Sequence, residues 1–301
     1  MTDILILGTG ALATLFAARL ASSGCSITML GTWPEALSAL NRDGARLMDA
    51  DGREQSFPVR AIHDPKDCPG ARYAMVLVKS WQTERVAHQL KACLADDGLA
   101  VTLQNGLGNR EILAGRLGGS RVALGTITIG ATLLGPGLVK AGGEGKIALE
   151  THPVMGPIKE ALMSAGFQVE TVNNTDSIVW GKLVINAAIN PLTALWNVTN
   201  GELLERPATR RLMRLLAEEA ASVACAEKVD LPFREPAAAV EDVARRTANN
   251  HSSMLQDIQR GAPTEIDAIC GAVVRMGKQH HIPAPVNQAC WQLVRAISER
   301  E

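Results

Sequence analysis

Two periodicities divide the chain. In the first half, short apolar runs of strand length are separated by polar and glycine-containing turns, whereas from residue 177 onward apolar positions recur at helical spacing. Residues 4–7 read as a buried strand that passes through Gly8-Thr9-Gly10-Ala11-Leu12-Ala13 into an apolar helical stretch over 15–20. Residues 26–30, 73–78 and 99–103 repeat the strand pattern. Residues 122–129 and the glycine-rich segment 135–145 are expected to complete the same sheet, and 166–172 to form its last strand. Asn173-Asn174-Thr175 breaks the pattern, so the boundary is drawn between a domain over 1–173 and a second over 174–301. In the second half the spacing predicts helices over 177–189, 193–196 after an interruption at Pro191, 208–228, 236–249, 263–280 and 285–300. The expected fold class is α/β, with an N-terminal Rossmann-type dinucleotide-binding domain followed by an all-α C-terminal domain.

Composition narrows the function classes. With 301 residues, 47% of them hydrophobic, the chain can build two cores. A formal net charge of -1 without a basic run gives no electrostatic footprint for nucleic acid or an anionic membrane, so neither is expected as a partner. No apolar run reads as long enough to cross a bilayer, and the start of the chain lacks the pattern of a signal peptide. The six cysteines and six histidines fall in no metal-ligand or disulfide spacing. A cytoplasmic protein with buried thiols and no metal is expected.

The candidate chemistry lies in three places. Gly8 and Gly10 stand between a strand and a helix, where the first allows a tight turn and the second lets backbone approach a pyrophosphate at the helix N-terminus; Ala13 takes the third fingerprint position. After the next strand come Gly31, Thr32 and Trp33, with neither the acid that selects NAD nor the arginine that favours NADP. Lys79 and Asn105 directly follow core strands, the edge at which open α/β sheets bind ligands. The third place is the apolar segment 181–190, where Lys182, Asn186 and Asn190 recur every four residues and share a helix face. A cation and two carboxamides amid apolar neighbours are costly unless something polar meets them, and a desolvated lysine loses its proton near neutral pH. Alternatively, the lysine reaches water and the amides cap backbone. Residues 249–253 are rich in helix-capping side chains able to receive a carboxylate, or simply to start a helix. Thr264 and Glu265 read as an ordinary cap and first-turn acid.

Taken together, Gly8-Thr-Gly-Ala-Leu, Val78-Lys-Ser-Trp-Gln82, Gln104-Asn-Gly-Leu-Gly108, Gly181-Lys182, Asn186 with 190–197, Asn200-Gly-Glu202, 252–257 and 264–267 resemble the ketopantoate reductase (2-dehydropantoate 2-reductase) family nearly end to end. The resemblance implies NADPH-dependent reduction of ketopantoate to pantoate on the way to pantothenate and coenzyme A. By it Lys182 is the catalytic acid, while Asn105, Lys182, Asn186, Asn190, Asn200, Asn250 and Ser253 contact the ketoacid. It also implies that Gly8, Thr9, Gly10, Ala11, Leu12, Ala13, Lys79, Asn105, Ala131 and Glu265 line the NADPH site. One departure is Thr32, where the family often has arginine. A reductase of another 2-ketoacid, a β-hydroxyacid dehydrogenase and a non-catalytic NADP sensor are the competing readings. The small-molecule ketoacid is the expected partner of a monomer or homodimer.

Overall fold

The computed structural model describes residues 2–49, 51–143 and 145–299. The expected helix end at Arg300 lies outside them. The chain divides into two compact units, Met1–Gln104 with Asn109–Thr175, and Asn105–Gly108 with Asp176–Glu301.

Among the described residues, the first unit contains β1 (Asp3–Leu7), α1 (Ala11–Ser22), β2 (Ser26–Leu30), α2 (Pro34–Asp43), β3 (Ala45–Met48), β4 (Glu54–Phe57), β5 (Arg60–Ile62), β6 (Ala71–Val76), α3 (Thr83–Cys93), β7 (Leu94–Thr102), α4 (Asn109–Leu117), β8 (Val122–Ile127), β9 (Ala131–Gly135), β10 (Leu138–Ala141), β11 (Lys146–Glu150), α5 (Gly156–Ser164) and β12 (Gln168–Val172). Eight strands form the main sheet in the order β12-β11-β8-β7-β6-β1-β2-β5. All its pairings are parallel except β8 with β11. β1 lies between β2 and β6, so the strand order reverses beside it, the switch point at which such sheets bind ligands.

Alternation along β1 builds both faces. Ile4 and Ile6 join a core with Leu15, Phe16 and Leu20 of α1, while Leu5 and Leu7 join another with Val86 and Leu90 of α3 and Leu113 of α4. The Phe16 ring stacks on Phe167 with centroids 4.6 Å apart. Burial of a side chain such as Phe16 stabilises by about 1.5–3 kcal/mol.

The segment 135–145 does not complete the main sheet as expected. β9 and β10 form a hairpin through Gly137, whose φ is 68°, and enter a separate four-stranded sheet, β4-β3-β10-β9. Burial along β9 alternates, as befits a strand with one covered face, whereas main-sheet strands are nearly continuously buried.

The helical unit comprises, among the described residues, α6 (Thr175–Trp196), α7 (Glu202–Glu205), α8 (Pro207–Ala226), α9 (Pro236–Arg246), α10 (Ser253–Gln259), α11 (Cys270–Gln279) and α12 (Pro285–Ser298). Its core gathers Val184, Ala187, Ala188 and Leu192 of α6 with Leu216, Ala220, Val240, Val273 and Val294. Three expectations are corrected here. α6 runs unbroken through Pro191, so Asn190 is not at a helix end. Proline lacks the N–H that would bond the carbonyl four residues back, and Cys270 Sγ donates to that carbonyl, Ala187 O, at 3.8 Å. The helix expected over 263–280 begins only at Cys270, because Ile269 leaves helical geometry at φ -103°, ψ -95°. α6 is also long and apolar enough to cross a membrane by length and composition, contrary to the sequence reading, yet 67% of its most apolar window is buried within the protein. That is the burial of a core helix.

Candidate active site

α6 carries the lysine and two asparagines into the helical unit. Its course is set at Gly181, where a Cβ would lie 2.6 Å from the Pro232 ring, so the residue before Lys182 must be small. Asn190 is buried; Lys182 and Asn186 are partly covered. Burial lowers the Lys182 ammonium from 10.5 to about 8, and the Glu265 carboxylate opposes that fall. Lys182 thus remains mostly protonated at neutral pH, but its proton is far more readily given up than that of a solvated lysine.

Glu265 does not begin a helix. It is buried in the turn preceding α11, where its carbonyl accepts from Ala268 N and Ile269 N at 3.0 and 3.1 Å. Its carboxylate Oε2 accepts from Asn105 Nδ2 at 3.0 Å. The short segment Asn105–Gly108 is seated on that turn by its backbone: Leu107 N donates to Ala268 O at 3.0 Å. At Gly106, φ is 81° and a Cβ would stand 2.4 Å from Ala268 O, so only glycine allows this approach. Asn105 and Glu265 are thereby linked within one unit although they are far apart in sequence, and Lys182 lies within the field of Glu265.

A second group forms where the segment before α7 meets the end of α9. Asn200 N donates to Asn250 O and Gly201 N to Ala248 O, both at 3.0 Å, and a Cβ on Gly201 would lie 2.7 Å from that of Ala248. Asn200 Nδ2 donates to Thr247 Oγ1 at 2.9 Å, which leaves its carbonyl oxygen a buried acceptor without a hydrogen-bond partner among the described residues. Such an acceptor calls for a donor, supplied by a ligand or by an ordered water. Asn250 and Ser253 are exposed. Within 249–253 the capping alternative holds for Ser252: it is buried, caps α10 by accepting from Leu255 N at 3.1 Å, and accepts from Thr193 Oγ1 of α6 at 2.7 Å. Its signal was present in sequence as the residue preceding a helix start. Thr247, which orients Asn200, carried no comparable signal.

The remaining candidates belong to the first unit. Gly8 has φ 123° and sits so close to Leu77 that a Cβ would be 3.3 Å from its carbonyl. Gly10 is the residue before α1; no side chain caps the helix there, and a Cβ would meet nothing within 4 Å. Thr9 and Ala13 are buried, while Ala11 and Leu12 are partly exposed at the first turn. Uncapped helix N–H groups beside open space at a topological switch point fit the pyrophosphate of a dinucleotide. Lys79 precedes the short 3-10 turn Ser80–Gln82, and Ala131 opens β9. Gln104 holds the ends of β6 and β7 together: Nε2 donates to Val78 O at 3.1 Å and to Thr83 Oγ1 at 2.9 Å, and Oε1 accepts from Thr102 Oγ1 at 3.0 Å.

Residues 4–153 match the family model described as ketopantoate reductase PanE/ApbA, and residues 174–298 match the model of its C-terminal part. A 2-dehydropantoate 2-reductase of Halobacterium salinarum is 34% identical over 99% of both chains. The crystal structure of a PanE/ApbA family ketopantoate reductase from Ralstonia eutropha JMP134 is similar with a TM-score of 0.92 and 32% identity, covering 99% of this chain and 98% of that one. A D-mandelate dehydrogenase solved with NADH and anilino(oxo)acetate reaches the same TM-score of 0.92 and similar coverage, 99% and 98%, at 24% identity, which is a likeness of fold.

Proposed function

The chain belongs to the ketopantoate reductase family, and from that premise we propose that it reduces 2-dehydropantoate to pantoate with NADPH, a step towards pantothenate and coenzyme A. The observation that carries the reading is Lys182: an ammonium lowered to about 8 by burial, on a helix face with Asn186 and Asn190, and within the field of Glu265.

In this reading residues 1–173 bind the dinucleotide and residues 174–301, with Asn105, take the substrate. Gly8, Thr9, Gly10, Ala11, Leu12 and Ala13 would hold the pyrophosphate at the start of α1; Lys79 and Ala131 of the same unit, and Asn105 and Glu265 of the helical unit, are the further residues proposed to contact the cofactor. Bound NADPH supplies the hydride for the ketone carbon. Negative charge then develops on the ketone oxygen, where the Lys182 ammonium both stabilises it and delivers the proton. Glu265 keeps Lys182 charged against its burial and is itself oriented by Asn105. Asn186, Asn190, Asn250 and Ser253 orient the ketoacid, and the buried Asn200 carbonyl oxygen accepts a hydrogen bond from the substrate hydroxyl. The enzyme acts on this small ketoacid in the cytoplasm, as a monomer or homodimer.

The test is NADPH consumption by the purified protein with and without ketopantoate, with the product identified. Ketopantoate-dependent oxidation yielding pantoate is expected; its absence overturns the reading.

A further inference from the structure

An adenosine ribose meets this type of sheet at the end of the second strand, and an arginine nearby accommodates a 2'-phosphate. Here that position holds Gly31, Thr32 and Trp33, with no basic residue. Another element supplies one. Arg85, in the first turn of α3, donates from Nη1 to Thr32 Oγ1 at 3.2 Å. The two residues are 53 apart in sequence and meet at the carboxyl edge of the sheet, since β2 and β6 flank β1 and α3 follows β6.

The backbone between them is drawn together tightly. Gly8 N donates to Leu30 O at 2.8 Å, a Cβ on Gly8 would press on Leu77, and a Cβ on Gly31 would lie 2.6 Å from Thr9 Cγ2. The glycine turn, Thr32 and Arg85 therefore form one continuous rim. Arg85 is exposed, and among the described residues no carboxylate pairs with it; a neutral hydroxyl is its partner. Its charge is available to an anion. Arg60 and Arg42 are poorer candidates: Arg60 has its backbone level with Thr28, short of the strand end, and Arg42, in the last turn of α2, is paired with Asp43.

We propose that Arg85, together with Thr32, binds the 2'-phosphate of NADPH and is the residue that makes this chain prefer NADPH over NADH. The inference rests on the reading that a nicotinamide dinucleotide is the cofactor. A guanidinium presents paired donors that match phosphate oxygens, and the neutral Thr32 hydroxyl adds a donor without repelling the anion.

The test is equilibrium binding, by fluorescence titration or calorimetry, of NADPH, NADH and 2',5'-ADP to the wild-type protein and to Arg85→Ala. Wild-type protein should bind NADPH more tightly than NADH. Arg85→Ala should weaken NADPH and 2',5'-ADP by about 10- to 100-fold, the range of a charged hydrogen-bonding contact, while NADH changes by no more than about twofold. Arg85→Gln, which keeps the aliphatic stem and a donor but loses the charge, should show the same split and carries the test if the alanine variant does not fold. Parallel loss of NADPH and NADH, or no loss of either, overturns the proposal. A wild-type protein that binds neither dinucleotide would instead strike down the cofactor reading beneath it.

Discussion

In the proposed reaction, Lys182 is tuned for proton transfer at a cost to the fold. An ammonium at about 8 is mostly charged at neutral pH yet close enough to neutrality to act as an acid. Lys182→Ala should lose about 10²- to 10⁴-fold in kcat, the range of a positioned acid, and still bind NADPH. For the wild type, kcat/KM for reduction should fall as pH rises through about 8, when the ammonium is lost; a pH profile flat across that region would remove Lys182 as the donor. The stability consequence has the opposite sense. The folded value lies below the ordinary 10.5, so between about 8 and 10.5 the unfolded chain holds more protons and stability rises with pH. Below that window the buried charge is a burden of about 3 kcal/mol, and Lys182→Met should melt higher than wild type at neutral pH. A lower melting temperature would mean that the charge is held by contacts strong enough to offset its burial. The lysine and its four-residue spacing with Asn186 and Asn190 were legible in sequence because helix periodicity is local. The orphaned carbonyl of Asn200 was not, since it depends on Thr247, 47 residues away.

At the scale of elements, the sequence misjudged the places where tertiary contacts override a local breaker. Pro191 suggested that α6 stops, but the unpaired Ala187 carbonyl finds the Cys270 thiol and the helix continues, keeping Lys182, Asn186 and Asn190 on one helix. The same thiol stands at the start of α11, just after the turn that presents Glu265. Pro263, Thr264 and Glu265 have the composition of a helix start, so local sequence predicts a helix where the turn lies. Its actual use is to receive the segment Asn105–Gly108, an approach that only glycine permits at 106. Gly106→Ala should destabilise the protein by about 1–3 kcal/mol, from a positive φ and a clash with the Ala268 carbonyl, and should lower kcat/KM by displacing Asn105 from Glu265. Unchanged melting and kinetics would show that this segment is not held as described. The second sheet was missed for a different reason: β3 and β4 are short, with Arg46, Glu54 and Gln55 among so few residues that no alternation emerges.

For the whole molecule, the division into a parallel-sheet unit and a helical unit was visible because the change of hydrophobic period is abrupt near residue 174. The assignment of Asn105–Gly108 to the helical unit was invisible, because that segment is flanked on both sides by the sheet unit's sequence. The dinucleotide turn and the lysine face therefore describe a reductase, while substrate identity rests on the polar set distributed over the helical unit. Ketopantoate offers a carboxylate, a ketone and a hydroxyl, and the buried Asn200 oxygen is the group that would distinguish the hydroxyl. The most direct measurement is kcat/KM with NADPH for ketopantoate against 2-ketoacids that lack the hydroxyl, including a phenyl-substituted one. Loss of a buried hydrogen bond costs about 1–3 kcal/mol, so ketopantoate should exceed its deoxy analogue by about 5- to 150-fold. A phenyl-substituted or deoxy 2-ketoacid reduced as well as ketopantoate, or better, would contradict the account.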